Sequence, residues 1–185
     1  YFTRLMAKEL LAMSLVKLLR VLQTQLDAYR GRIEGLFADH PDSGIFGSLP
    51  GAGPKLAPRM LGEIGADRGR FTSAEGLQCH AGTAPVSFSS GQIHRVLMRR
   101  GVSRHLRSTV HLWADQSRHR CAWAQAYYQA QRDRGKSHAC ALRCLGQRWL
   151  KIVWKMWQER LPYDEARHTR NQVQHGSWII QLNTA

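Results

Sequence analysis

Two adjacent serines stand in a run of small residues, Ser87-Phe88-Ser89-Ser90-Gly91, and arginines follow at once. Residues 94–120 hold Arg95, Arg99, Arg100, Arg104, Arg107, Arg118 and Arg120 against one acid, Asp115, with His94, His105, His111 and His119 interleaved. A solvated helix face normally mixes both signs, so seven cations to one anion point to phosphate. Beside such a stretch a serine gains meaning. The guanidinium groups can hold a phosphodiester and offset the charge that grows on it when a hydroxyl attacks. The hydroxyl itself needs a base or a metal. His94 is a candidate base and equally a phosphate contact. The plain alternative is that Ser89 and Ser90 are ordinary loop serines.

A second set is Leu49-Pro50-Gly51-Ala52-Gly53, with Lys55 after it. Gly51 and Gly53 let the backbone turn tightly and approach a phosphate, the helix that follows aims unpaired N–H groups at it, and Lys55 adds a full charge. This is how the turn of a helix-hairpin-helix element reads, a device that grips the nucleic-acid backbone without reading sequence. The alternative is a Pro-Gly turn between two core helices. Acidic residues are scattered, with no D-x-D or D-x-x-E pattern, so metal-assisted phosphoryl transfer lacks its ligands here and no metal site is expected.

The whole chain agrees with a polyanionic partner. Its 185 residues carry 27 Lys+Arg against 13 Asp+Glu, a net charge of +14. Arginine outnumbers lysine 21 to 6, which favours forked contacts to phosphates, although genomic GC content also raises arginine. A hydrophobic share of 43% is enough for a buried core and excludes wholesale disorder. Cys79, Cys121, Cys140 and Cys144 fit neither a disulfide framework nor a zinc pattern and read as reduced thiols. No apolar run reaches the length of a membrane span. A bacterial cytoplasmic, nucleoid-associated protein is expected. The start at Tyr1 points to part of a longer product.

The elements that must position these residues read as helices. Leu11, Leu15, Leu18, Leu22, Leu26, Tyr29, Ile33 and Leu36 recur in steps of 4 and 3, a heptad seam on one helix over residues 5–37. Such a helix packs on its own domain or pairs with another protomer; a homo-oligomer through this arm is the sharper expectation. Turns surround Pro41 and Pro50, and short helices follow at 55–65 and 71–80. Residues 82–101 read as a loop with a short hairpin. Residues 103–131 read as one helix with Ser103 as N-cap. Residues 137–160 form the last strong helix, with a core stripe of Leu142, Leu145, Trp149, Ile152, Val153, Met156 and Trp157. The expected fold is mainly α: a coiled-coil-like arm over 1–40, a compact helical domain over 41–165 with a helix-hairpin-helix-like element and a short loop or β-hairpin insertion, and an unstructured tail over 166–185.

An ordered series of short motifs resembles a known family. Ser48-Leu49-Pro50-Gly51-Ala52-Gly53, Leu61-Gly62-Glu63-Ile64-Gly65, Arg70-Phe71-Thr72-Ser73-Ala74, Ala81-Gly82-Thr83-Ala84-Pro85, Ser90-Gly91, Arg100-Gly101 and Leu106-Arg107 together are similar to the C-terminal transposase domain of Piv-like insertion-sequence transposases. These enzymes carry an N-terminal RuvC-like domain with a DEDD carboxylate set and use a bridge RNA. The resemblance covers roughly residues 10–165. It implies DNA strand exchange with Ser90, or alternatively Ser89, as nucleophile, and basic positions at Arg95, Arg100 and Arg107. It also implies Mg²⁺ on the RuvC-like domain, DNA and guide RNA as partners, and no cofactor in this chain. The RuvC-like domain is not in this sequence, and Val102 stands where Asn or Asp is common. The implied protein is a transposase fragment inactive alone; the alternative is a non-catalytic nucleic-acid-binding module acting through the 49–55 turn and the arginine stretch.

Overall fold

A computed structural model describes residues 2–176. Its elements are α1 (Phe2–Ala38), α2 (Ser43–Gly47), α3 (Gly53–Ile64), a 3₁₀ turn (Arg68–Arg70), α4 (Ala74–His80), β1 (Pro85–Ser90), β2 (Ile93–Met98), α5 (Arg104–Ser117), α6 (Ala122–Asp133), α7 (His138–Glu159) and α8 (Glu165–Gln174). The protein is mainly helical, with one two-stranded antiparallel hairpin among the described residues. The chain divides into two compact units, residues 1–40 and 41–185.

In the first unit, α1 is a single helix of 37 residues. The seam residues Leu11, Leu15, Leu18, Leu22, Leu26, Tyr29, Ile33 and Leu36 are all exposed. Leu10, Leu19 and Val21, outside that seam, are exposed as well, so the apolar surface is broad before Leu22 and narrow after it.

In the second unit α7 is the central helix. Trp149, Leu150, Val153 and Trp157 on it are buried, and Met156 nearly so. Trp149 lies 4.9 Å from Trp113 of α5 and 4.6 Å from Trp123 of α6, ring centre to ring centre. Burial of rings this large stabilises the unit by about 4 kcal/mol each. The indole N–H groups are matched inside: Trp149 donates to Ser117 Oγ at 2.8 Å and Trp113 to the Pro50 carbonyl at 3.0 Å. Trp157 lies beside α2 and the 3₁₀ turn, donating to Asp42 Oδ2 at 3.2 Å, while Arg68 pairs with Asp42 Oδ1 at 2.6 Å. Ile152, expected in the core, is only half-buried, because it lines a cavity between α7 and α8.

Two further expectations need correction. The helix expected over 103–131 is two helices, α5 and α6, separated at residues 118–121. Neither Gly nor Pro marks the break. Ser117 turns its hydroxyl onto the Ala114 carbonyl and onto Trp149, and the chain bends so that Trp123 reaches the same ring. The tail expected to lack structure from 166 is helical through Gln174. Asp164 starts this helix by accepting from the Arg167 N–H at 3.1 Å. The rest of that tail, 177–185, lies outside the described residues.

Candidate nucleic-acid interface

The serine run forms β1, and the arginines begin on β2. The strands pair with Ser90 opposite Ile93, Ser89 opposite His94, Phe88 opposite Arg95 and Val86 opposite Leu97. The two-residue turn is Gly91-Gln92, and Gly91 has φ +56°. A hairpin turn of this length wants glycine at its first position, so Gly91 serves the turn. No side chain of either strand is buried.

Side chains alternate across the ribbon, so the register sorts the candidates. Ser90, Phe88 and Val86 share one face with Ile93, Arg95 and Leu97. Arg95 is therefore a diagonal neighbour of Ser90, within reach of a phosphate bound to its hydroxyl. Ser89 and His94 share the opposite face, with Ser89 Oγ 2.8 Å from His94 Nδ1. A neutral imidazole nitrogen there can accept the Ser89 proton. Ser90 Oγ makes no hydrogen bond among the described residues. The pairing of Ser89 with His94 is a contact that residue spacing alone did not single out. A two-residue turn at Gly91-Gln92 is the signal that fixes it.

At the hairpin base the arginines divide. Arg100 and Arg104 are exposed, and α5 starts at Arg104, so Arg100 precedes the helix and does not share its face. Ser103 caps α5 by accepting from the Leu106 N–H at 3.1 Å and donates to Glu63 Oε2 at 3.3 Å. Arg107 is half-buried and donates to the Arg99 carbonyl at 2.5 Å. Its guanidinium fills the space above Gly82, where a Cβ would stand 2.7 Å from Arg107 Nη2. The Nε groups of Arg99 and Arg107 are buried without an acceptor among the described residues. The Ser103 N–H donates to the His80 carbonyl, and the His80 ring is held below its ordinary pKa, by burial first and by Arg70 second.

The 49–55 turn divides too. Gly51 has φ +76° and packs inward: a Cβ on it would stand 2.8 Å from the Gln116 carbonyl carbon. Gly53, with φ +57°, has open space around it, and Lys55 in the first turn of α3 is exposed. Only the outer half of this turn is available to a phosphate. Among the described residues no three His, Cys, Asp or Glu side chains come together to hold a metal ion. No described helix is long and apolar enough to cross a membrane.

Sequence comparison bears on the same region. The pattern described as "Transposase IS116/IS110/IS902 family" matches residues 43–129. The mini-circle putative transposase for IS117 of Streptomyces coelicolor is 40% identical over 135 residues, covering 73% of this chain and 33% of its own length. The insertion element IS900 uncharacterized 42 kDa protein of Mycobacterium paratuberculosis is 33% identical over 156 residues, 84% of this chain and 39% of its own. The insertion element IS110 uncharacterized 43.6 kDa protein of Streptomyces coelicolor is 32% identical over 152 residues, 82% and 37% respectively. The chain thus spans between a third and two fifths of the length of these relatives.

Proposed function

We propose that this chain, whose residues 43–129 match the pattern described as "Transposase IS116/IS110/IS902 family", is a transposase domain of that family, the part of an insertion-sequence recombinase that grips DNA and supplies the serine for strand exchange. The observation that carries the reading is the hairpin: a ribbon with no buried side chain, Ser90 and Arg95 on one face and exposed Arg100 and Arg104 at its base.

In the step proposed, the serine oxygen attacks phosphorus and the bond from phosphorus to the leaving deoxyribose oxygen breaks. The serine proton goes to a base, and a proton goes to the departing oxygen. The product is a 5′- or 3′-phosphoserine link, reversed when the hydroxyl of the incoming strand attacks. Arg95 holds the phosphate, and Arg100 offsets the growing charge. The family resemblance favours Ser90; the imidazole at 2.8 Å favours Ser89. The family resemblance assigns the Mg²⁺ of this chemistry to a RuvC-like domain, which would supply that ion to the reaction. Guide RNA belongs to the same assembly, and α1, with its exposed seam, pairs there with the α1 of another copy.

The test is a covalent one. The chain alone binds duplex DNA and forms no adduct. Supplied with a RuvC-like domain, Mg²⁺ and RNA, it forms a protein–DNA link resistant to denaturation. Ser90→Ala removes the link while DNA binding survives. Persistence in Ser90→Ala with loss in Ser89→Ala moves the nucleophile to Ser89. Adducts that survive both substitutions leave only the reading of a binding module.

A further inference from the structure

A cavity of about 590 Å³ opens between the C-terminal half of α7 and α8, and it shares no residue with the hairpin or the 49–55 turn. Its floor includes Trp123, Ile152 and Tyr163. The His168 ring joins the floor, 4.8 Å from the Trp123 ring and 6.3 Å from that of Tyr163. Burial holds the His168 pKa below its ordinary value, so at pH 7 it presents a neutral flat ring.

The rim is basic. Arg148, Lys151, Lys155 and Arg167 face two carboxylates, Glu159 and Asp164. Both carboxylates are engaged. Asp164 caps α8, and Glu159 is shared by Lys155 at 3.7 Å and Arg167 at 3.0 Å. Lys151 makes no ion pair among the described residues, and Arg148 lies 5.7 Å from the Tyr127 ring centre. Both keep their charge for an incoming group. Arg148, Lys151 and Lys155 follow one side of α7 over about 10 Å, at 1.5 Å per residue.

Aromatic and apolar surface below a row of cations suits an unpaired nucleotide: the base stacks and the phosphates follow the charges. In a duplex the base faces are occupied by their neighbours and do not enter a cavity of this kind. A row of about 10 Å is longer than one phosphate group needs, which favours a strand over a free mononucleotide. The geometry points to the α7–α8 groove as a second nucleic-acid site, which takes an unpaired strand with a base over the half-buried His168 ring, itself backed by Trp123, and adjacent phosphates at Arg148 and Lys151. This rests on the reading that the chain handles nucleic acid, and not on the serine chemistry.

The experiment measures anisotropy of labelled oligothymidylate, oligouridylate and a DNA duplex on the 185-residue chain, in parallel with Arg148→Gln/Lys151→Gln, whose two side chains are exposed. The double substitution weakens single-strand binding about tenfold and flattens its salt slope by about 1.4, from roughly 0.7 per phosphate on single strands. Duplex binding changes less than about twofold. Oligothymidylate and oligouridylate binding separate a DNA from an RNA source; a loss in either supports the site. An oligonucleotide carrying 5-iodouracil crosslinks to Tyr163 or His168 on irradiation. Three results overturn the proposal: unchanged single-strand affinity in the variant, crosslinks confined to residues 85–107, or competition by AMP as strong as by the oligonucleotide. The companion variant Arg100→Gln/Arg104→Gln loses duplex binding and keeps the single strand. The reverse pattern there strikes at the hairpin reading and leaves the groove standing.

Discussion

Gly51 and Gly53 look equivalent in the sequence, and the fold gives them different work. Both have positive φ, which costs an L residue about 1–2 kcal/mol. Only Gly51 faces backbone atoms, at 2.8 Å. Gly51→Ala is therefore expected to destabilise by more than about 3 kcal/mol and Gly53→Ala by about 1 kcal/mol, read from urea midpoints. Equal losses would mean that the turn does not press on α5. The arginines divide in the same way. Arg100→Ala/Arg104→Ala should flatten the duplex salt slope by about 1.8, at roughly 0.9 per phosphate. Arg107→Ala should instead loosen the hairpin base and speed proteolysis within 85–98, since Arg107 holds the Arg99 carbonyl. At this scale the sequence displays which residue types are present and near one another. It does not display which donor is already spent: Arg99, Arg100, Arg104 and Arg107 read alike until Gly82 and the Arg99 carbonyl claim one of them.

Among the elements, α7 was the most legible, because a stripe with a 3.6-residue period and two tryptophans leaves few alternatives. Its N-cap, Ser137, is the kind of residue the pattern demands, and its side chain accepts from the Cys140 N–H. The break between α5 and α6 was illegible, since tertiary contact with Trp149 makes it and no local residue announces it. For α8 the signal existed, Asp164 followed by Glu165, but an exposed helix with no buried residue leaves no apolar stripe to read. The junction of α7 with α2 and the 3₁₀ turn supplies a prediction. Asp42 is buried, accepts from both Arg68 and Trp157, and is separated from Trp157 by 115 positions in the chain. Asp42→Ala strands a guanidinium and an indole N–H, and should cost about 3–5 kcal/mol by thermal or urea denaturation. Asp42→Asn keeps the shape and one acceptor and should cost less. A loss below about 1 kcal/mol in Asp42→Ala would show that water replaces the carboxylate.

For the molecule as a whole, acid is expected to weaken the fold. His80, His111 and His168 all have folded-state pKa values below the ordinary histidine value, with burial as the first cause. The unfolded chain then binds more protons as pH falls below about 6.5, so stability is level above that point and declines beneath it. The melting temperature should drop between pH 7.5 and 5.5, and His168→Asn should make the decline shallower. A melting temperature that rises on acidification would contradict the sign. For α1, Leu18→Glu/Leu22→Glu should lower the sedimentation coefficient toward that of the monomer, because both leucines are exposed in a single copy. An unchanged coefficient would mean that the seam serves no second copy. The hairpin, finally, is a lever. Six residues per strand make a ribbon about 20 Å long, at roughly 3.3 Å per residue. Its serines sit at the far end, none of its side chains is buried, and a guanidinium grips its base. A tilt of only about 15° at that base sweeps the hydroxyl through about 5 Å, several bond lengths, without breaking one strand-to-strand hydrogen bond. The reach of these serines is thus set by a pivot far from them, and tuning the pivot changes where their oxygens arrive and leaves the turn between the strands alone.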